Sequence, residues 1–221
     1  MINTAFGRLF NINNVCSRIM SESLNIHTDG TVNLFQDTTL RYFENFYSEE
    51  ETKTIFEELY LQTSWQQDNI TVFGKTYAQP RLTALFSNNS QTYSYSGIRM
   101  HPNMITPQLI SIQQKISKVC NYDFNSVLLN LYRDGKDSNG WHSDNEKELG
   151  ENPVIASVSF GASRFFHMKH KSIKELFLKI PLTTGSLMIM EGTTQKYWLH
   201  KIAKTARPVE SRINLTFRKI I

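Results

Sequence analysis

The clearest pattern of polar and apolar positions lies near the C-terminal end of the sequence. From Ser211 to Arg218, the polar residues Arg212, Asn214, Thr216 and Arg218 alternate with Ile213, Leu215 and Phe217. Successive residues of a strand point to opposite faces, so this run predicts a strand with one apolar face and one strongly polar face. Short apolar runs recur from about residue 125 onward. They predict strands at Ser126–Arg133, Val154–Phe160, Arg164–Lys169, Glu175–Ile180, Ser186–Glu191, Trp198–Ile202 and Arg212–Lys219, with Gly135, Gly140, Gly161, Gly185 and Gly192 between them.

The first half follows another period. Ser48-Glu49-Glu50-Glu51 is a capping box, and Ile55, Phe56, Leu59 and Tyr60 follow at helical spacing, which predicts a helix over about 49–62. Pro107 opens a second helix whose buried stripe is Leu109, Ile110, Ile112, Ile116 and Val119. Residues 1–40 lack sustained periodicity and read as an irregular arm, with a turn at His27-Thr28-Asp29-Gly30. Residues 41–221 then form a single domain. Helices early and many short strands late predict an α+β, mainly β class: a β-sandwich or jelly roll supported by N-terminal helices.

Composition changes this picture little. The chain has 221 residues, 40% of them hydrophobic and 12% aromatic, which fits a folded domain rather than a disordered one. The net charge of +4 is compatible with a polyanionic partner and equally with a solvated basic surface. Cys16 and Cys120 are far apart and lack metal-ligand spacing, which suits a reducing compartment and excludes a disulfide framework. No apolar run approaches the ~18 residues that span a bilayer. The N-terminal segment carries Arg8 and Arg18 with no acid before Glu22, a faint echo of a transit peptide, but an ordinary surface arm is the simpler reading. The expectation is an intracellular monomer, cytoplasmic, or nuclear if eukaryotic.

Candidate chemistry begins at Trp141-His142-Ser143-Asp144, answered far downstream by His200. Two imidazoles and one carboxylate can take one face of Fe(II) and leave the opposite positions open for a cosubstrate and O2. Singly, each histidine reads as a surface or hydrogen-bonded core residue. The polar face behind them strengthens the set: two guanidinium groups, Arg212 and Arg218, can grip both carboxylates of a small diacid. A diacid that also chelates iron is 2-oxoglutarate. The competing reading of that face is plain solvent exposure. Asn130 and Tyr132 share one face of a strand just upstream and offer an amide and a phenol to the same ligand.

Asn130-Leu131-Tyr132, His142-Ser143-Asp144, His200 and Arg212-Ile213-Asn214-Leu215-Thr216-Phe217-Arg218 together resemble the AlkB family of Fe(II)/2-oxoglutarate dioxygenases, from about residue 70 to the C-terminus. The resemblance implies a double-stranded β-helix with His142, Asp144 and His200 as iron ligands. It implies that Arg212 binds the distal carboxylate of 2-oxoglutarate, that Arg218 supports the keto-acid end and Asp144, and that Asn130, Tyr132 and Asn214 complete the shell. It also implies a base-recognition lid at about 66–100. There Tyr95 would stack on a flipped base opposite His142, and Tyr93 would donate a hydrogen bond into the pocket. Glu146 would accept from the exocyclic amine of adenine or cytosine.

Val72-Phe73-Gly74-Lys75 ahead of Gln79-Pro80-Arg81 resembles the finger of the homologue 2 branch of the family, with Phe73 as a wedge into duplex DNA. Lys169-His170-Lys171 and Lys174 resemble a phosphate-holding loop, and are otherwise a solvated one. Tyr95 stands where that branch often has Phe, and Asn145 replaces a second acid. The implied function is oxidative demethylation of 1-methyladenine and 3-methylcytosine, with alkylated DNA, double-stranded by preference, as the partner. The rivals are an AlkB-like dioxygenase of RNA or protein and a catalytically silent nucleic-acid-binding module.

Overall fold

The computed structural model describes residues 26–72, 74–88, 93–95 and 98–221. Cys16 and Phe73 fall outside them, as do the side chains of Tyr93 and Tyr95. In chain order, β1 (Asp29–Phe35) and β2 (Thr38–Phe43) precede helix α1 (Glu49–Gln62). Then come the hairpin β3 (Asn69–Val72) and β4 (Lys75–Ala78), β5 (Leu82–Ser87), the ribbon β6 (Tyr93–Tyr95) and β7 (Ile98–Met100), β8 (Asn103–Met104) and helix α2 (Pro107–Cys120). The remainder is almost all strand: β9 (Ser126–Tyr132), β10 (Asn139–His142), β11 (Ile155–Gly161), β12 (Arg164–His170), β13 (Phe177–Leu182), β14 (Leu187–Glu191), β15 (Trp198–Ile202) and β16 (Arg212–Arg218). The fold is mainly β, of the α+β class.

Two sheets build the body. The larger has eight strands in the order β1-β2-β14-β11-β16-β9-β5-β8, and the smaller has four, β10-β15-β12-β13. Their facing sides share one core, in which Leu40, Leu128, Ile155 and Met188 from the large sheet meet Phe166, Met168, Ile180 and Ile202 from the small one. The Tyr42 hydroxyl donates to the Pro181 carbonyl at 2.6 Å across the same gap. The outer side of the large sheet has a second core, where Ile213, Leu215, Phe217 and Val127 pack with Leu59, Leu109, Ile112 and Ile116 of the two helices. The large sheet is therefore covered on both faces. All seven residues of β16 are buried, polar ones included, which removes the solvent-exposed reading of its polar face.

Local signals explain the helices. Glu51 N–H donates to Ser48 Oγ and Ser48 N–H donates to Glu51 Oε2, completing the capping box of α1. In α2, Pro107 lies in the first turn, Thr106 caps it, and Asn121 in the left-handed region closes it. Ile110 departs from the expected buried stripe and is 38% exposed. Gly161 has φ +84, and a Cβ there would lie 2.4 Å from the Ser211 carbonyl, so the β11–β12 corner requires glycine.

The main departure concerns residues 29–40, read as part of an irregular arm. They form β1 and the first half of β2, which extend the large sheet through β14. β1 is an edge strand whose apolar residues Val32 and Leu34 point to solvent, so no alternation marks it. The hairpin is tied instead by polar contacts: Trp198 Nε1 donates to the Gln36 carbonyl at 2.9 Å, and His170 pairs with Asp37 at 3.3 Å. No helix among the described residues is long and apolar enough to cross a membrane.

Candidate active site

Strand pairing brings the two histidines together. β10 and β15 run antiparallel with His142 opposite His200, and the ring centroids are 4.3 Å apart. Asp144 follows two residues after His142, is 1% exposed, and places Oδ1 4.0 Å from His142 Nε2. One ligand atom from each of the three residues lies within 4.8 Å of the others. His142 Nδ1 lies 2.8 Å from the Gly140 carbonyl. A carbonyl only accepts, so Nδ1 carries the proton and Nε2 keeps its lone pair on the Asp144 side.

Charge in the trio suits a cation. Burial lowers the pKa of both histidines, His200 to about 3, and keeps them neutral. Burial pushes Asp144 upward, but Arg218 and then the two imidazoles more than offset it and hold the carboxylate at about 2. The Arg218–Asp144 contact is a buried ion pair at 3.0 Å. His200 Nδ1 is buried with no hydrogen-bond partner. A lone pair in that condition is satisfied by a metal ion.

The same cavity holds a place for an anion. Its lining includes His142, Asp144, His200, Asn130, Tyr132, Arg212, Asn214 and Arg218, so the structure brings together every residue expected at the iron and cosubstrate sites. Arg212 is 1% exposed and lies opposite Tyr132 on β9, its guanidinium carbon 5.3 Å from that ring. Nη2 donates to Ser159 Oγ at 2.9 Å, whereas Nε and Nη1 are buried without partners. Burial draws its pKa down from 12.5 to about 10. No described carboxylate pairs with it. A buried cation with two unanswered donors is complementary to a carboxylate.

Other expected residues take different places. Asn214 is engaged within the sheet: its amide donates to Ser157 Oγ and the Val158 carbonyl, and its oxygen accepts from Thr216. Asn130 Oδ1 accepts from Arg81 Nε at 2.7 Å. Glu146 is half-buried, precedes the short 3-10 turn Lys147–Leu149 and does not line the cavity. In the presumed phosphate loop, Lys171 donates to the carbonyls of Gln195 and Lys196 and to Ser143 Oγ, and His170 is buried against Asp37. Those two residues hold the fold around the site rather than a solvated loop.

Sequence reasoning missed two contributors. Gln195 is 1% exposed; its Oε1 accepts from the Asp144 N–H at 2.9 Å and lies 3.2 Å from His200 Nε2, so one amide touches two of the three candidate ligands. Nothing in Thr193-Thr194-Gln195 signals this. Arg81, 3% exposed, supports Asn130 rather than belonging to the finger alone, and a charged residue beside the apolar run of β5 is a usable signal.

A sequence model of the 2OG-Fe(II) oxygenase superfamily matches residues 39–218. DNA oxidative demethylase ALKBH2 of Homo sapiens is 37% identical over 181 residues, covering 77% of this chain and 69% of the relative. The chain belongs to the AlkB family of that superfamily. Among its AlkB relatives, alpha-ketoglutarate-dependent dioxygenase alkB homolog 3 is 44% identical in Bos taurus over 179 residues (77% of this chain, 62% of the relative). The Homo sapiens homolog 3 is 42% identical over 187 residues (80% and 65%). The expected likeness to homologue 2 is present, but homolog 3 is the more similar of the two. The chain spans under two thirds of the length of these homolog 3 relatives. The solved structure of OsALKBH1 superposes with TM-score 0.61 at 14% identity, covering 85% of this chain and 99% of that one, a likeness of fold. Fe(II) and 2-oxoglutarate are the cofactors of this AlkB-family chain, and its donor trio and buried guanidinium fit both.

Proposed function

We propose that the chain is an Fe(II)- and 2-oxoglutarate-dependent dioxygenase that demethylates alkylated nucleic-acid bases, with 1-methyladenine and 3-methylcytosine in DNA as substrates. The observation that carries the reading is one buried cavity holding both a two-histidine, one-carboxylate trio and Arg212 with its unanswered donors. A silent binding module would have no use for either.

His142, Asp144 and His200 hold the iron. Arg212 takes the far carboxylate of 2-oxoglutarate, Tyr132 flanks it, and Arg218 fixes Asp144 through their 3.0 Å pair. Asn130 and Asn214 set the wall of the cavity from β9 and β16, where they lie directly opposite. When bound, iron and 2-oxoglutarate would, with O2 as the oxidant, supply hydroxylation of an N-alkyl C–H bond, one oxygen atom going to that carbon and the other to succinate as 2-oxoglutarate loses CO2; the hydroxylated carbon would then leave as an aldehyde and the base would be restored. The body is a double-stranded β-helix, and residues of about 66–100 are its base-recognition lid. Support for the lid comes from the β3–β4 hairpin and the β6–β7 ribbon, both separate from the two main sheets. On it, Tyr95 stacks on the base and Tyr93 donates to it, while Glu146 reads the exocyclic amine from the other side.

DNA as substrate draws on the printed name of ALKBH2, a DNA oxidative demethylase. Duplex preference rests on Phe73 in the sequence Val72-Phe73-Gly74-Lys75, since an apolar ring can fill the gap left by a flipped base. The test is formaldehyde release from methylated single- and double-stranded oligonucleotides once O2 is admitted to protein loaded anaerobically with Fe(II) and 2-oxoglutarate. Release from neither strand form would sink the reading. A Phe73→Ala variant is expected to lose duplex activity at least tenfold and keep single-strand activity; equal activity on both defeats the duplex assignment alone.

A further inference from the structure

The outer face of the small sheet, turned away from the cavity, has an unusual composition for a solvent-exposed surface. Phe165 and Phe177 stand on it at 46% exposure each. Across β15, β12 and β13, Lys201, His167 and Lys179 lie abreast in register, about 5 Å from strand to strand. The lysines sit over the rings: Lys179 lies 4.1 Å from the Phe165 centroid, and Lys169 and Lys201 lie 4.6 and 4.5 Å from Trp141. None of these lysines is among the described ion pairs. At one end the face deepens into a groove of about 400 Å³ lined by Phe165, His167, Lys179 and Arg207 and by no carboxylate. His167 Nδ1 is buried there without a partner.

We infer that this face is a tract for single-stranded nucleic acid, separate from the base pocket; the inference rests on the nucleic-acid reading of the chain. Interleaved cations and rings on a sheet suit phosphates and bases together. The cores of protein interfaces are poor in lysine, so the same composition argues against a protein partner. Position agrees. Trp141 and His142 are neighbours on β10, an edge strand, and consecutive strand residues point to opposite faces. A strand crossing the tract at Trp141 therefore passes one residue from a candidate iron ligand. The tract lengthens the grip on substrate beyond the lesion.

The test compares wild type with Phe165→Ala/Phe177→Ala/Lys179→Ala. Binding of an unmodified DNA strand of roughly 20 nucleotides, read by fluorescence anisotropy, is expected to weaken at least tenfold, since each lost stacking ring alone is worth about that. The slope of log affinity against log salt is expected to fall by about 0.7 for the one lysine removed. Turnover of a methylated strand of about five nucleotides stays near wild type, while the wild-type advantage for the longer strand shrinks. Lys179→Glu alone, a single surface change, is expected to weaken binding about fivefold and serves if the triple variant is unstable by circular dichroism. Unchanged affinity and an unchanged length advantage overturn the inference, including the case in which the face binds a protein. A wild type that binds the long strand through this face yet demethylates nothing overturns the functional reading and leaves the tract standing.

Discussion

Replacing Arg212 with Met separates the ligand-binding role of this residue from any role in the fold. The guanidinium is 1% exposed, donates to Ser159 Oγ and interacts with the Tyr132 side chain, and leaves Nε and Nη1 buried without hydrogen-bond partners. Its pKa falls from 12.5 to about 10 because burial disfavours the charged form. That fall corresponds to about 3 kcal/mol. At pH 7 the group is charged both folded and unfolded, so a lowered folded-state pKa destabilises the folded protein by the full amount. Methionine has a similar stem and no charge. It removes this penalty and loses about 1 kcal/mol with the Ser159 bond.

The ligand-free variant is therefore expected to be as stable as wild type, or about 2 kcal/mol more stable. Ligand binding moves the other way. Loss of one partner of a buried charge pair costs about 2–5 kcal/mol, roughly 30-fold to several thousand-fold in affinity. Thermal melts with Mn(II) in place of iron read both effects at once. At 2-oxoglutarate 100 times its dissociation constant, wild type gains about 2.7 kcal/mol, or about 5–10 °C for a chain of this size. At that concentration the variant should keep at most about 0.9 kcal/mol of that gain, roughly 2–3 °C. A variant that melts several degrees below wild type without ligand, or that keeps the 2-oxoglutarate shift, refutes the argument.

Asp144→Asn removes one charge of the buried Arg218–Asp144 pair, so it is expected to destabilise the protein by about 3–5 kcal/mol and to abolish Mn(II) binding by electron paramagnetic resonance; an unchanged stability would show that the pair adds nothing to the fold. Gln195→Leu keeps the volume but leaves the Asp144 N–H without its acceptor, and metal affinity by calorimetry should fall about 10–100-fold; an unchanged value shows that Gln195 only fills space. Gly161→Ala drives a Cβ to 2.4 Å from the Ser211 carbonyl at φ +84 and should cost at least about 2 kcal/mol in chemical denaturation; an unaffected midpoint would show that the corner relaxes freely.

What the sequence discloses about this site follows from range. The alternation of Arg212 through Arg218 is local, so the strand and the grouping of its polar side chains can be read directly. Whether that polar face meets water or a cavity depends on the small sheet standing over it, and no residue of β16 carries that information. The residue types of His142, Asp144 and His200 suggest a shared metal, but the contact itself is made by β10 lying beside β15 with a register shift between Asn139 and His142, which no local pattern shows. Gln195 shows the limit most clearly: a neutral residue in a one-turn helix becomes the bridge between Asp144 and His200 through that same closure. β1 failed for the opposite reason, since an edge strand held by Trp198 and His170 through its turn needs no apolar alternation of its own. Charge is thus no guide by itself: Arg212, Arg218, Asn130, Tyr132 and Asn214 are legible on their strands, whereas the supporting contacts of Arg81 and Gln195 are not. A guanidinium on an alternating strand shows its face in sequence but not its exclusion from water, and both that exclusion and the amide that orients a ligand become visible only once the strands around them have closed.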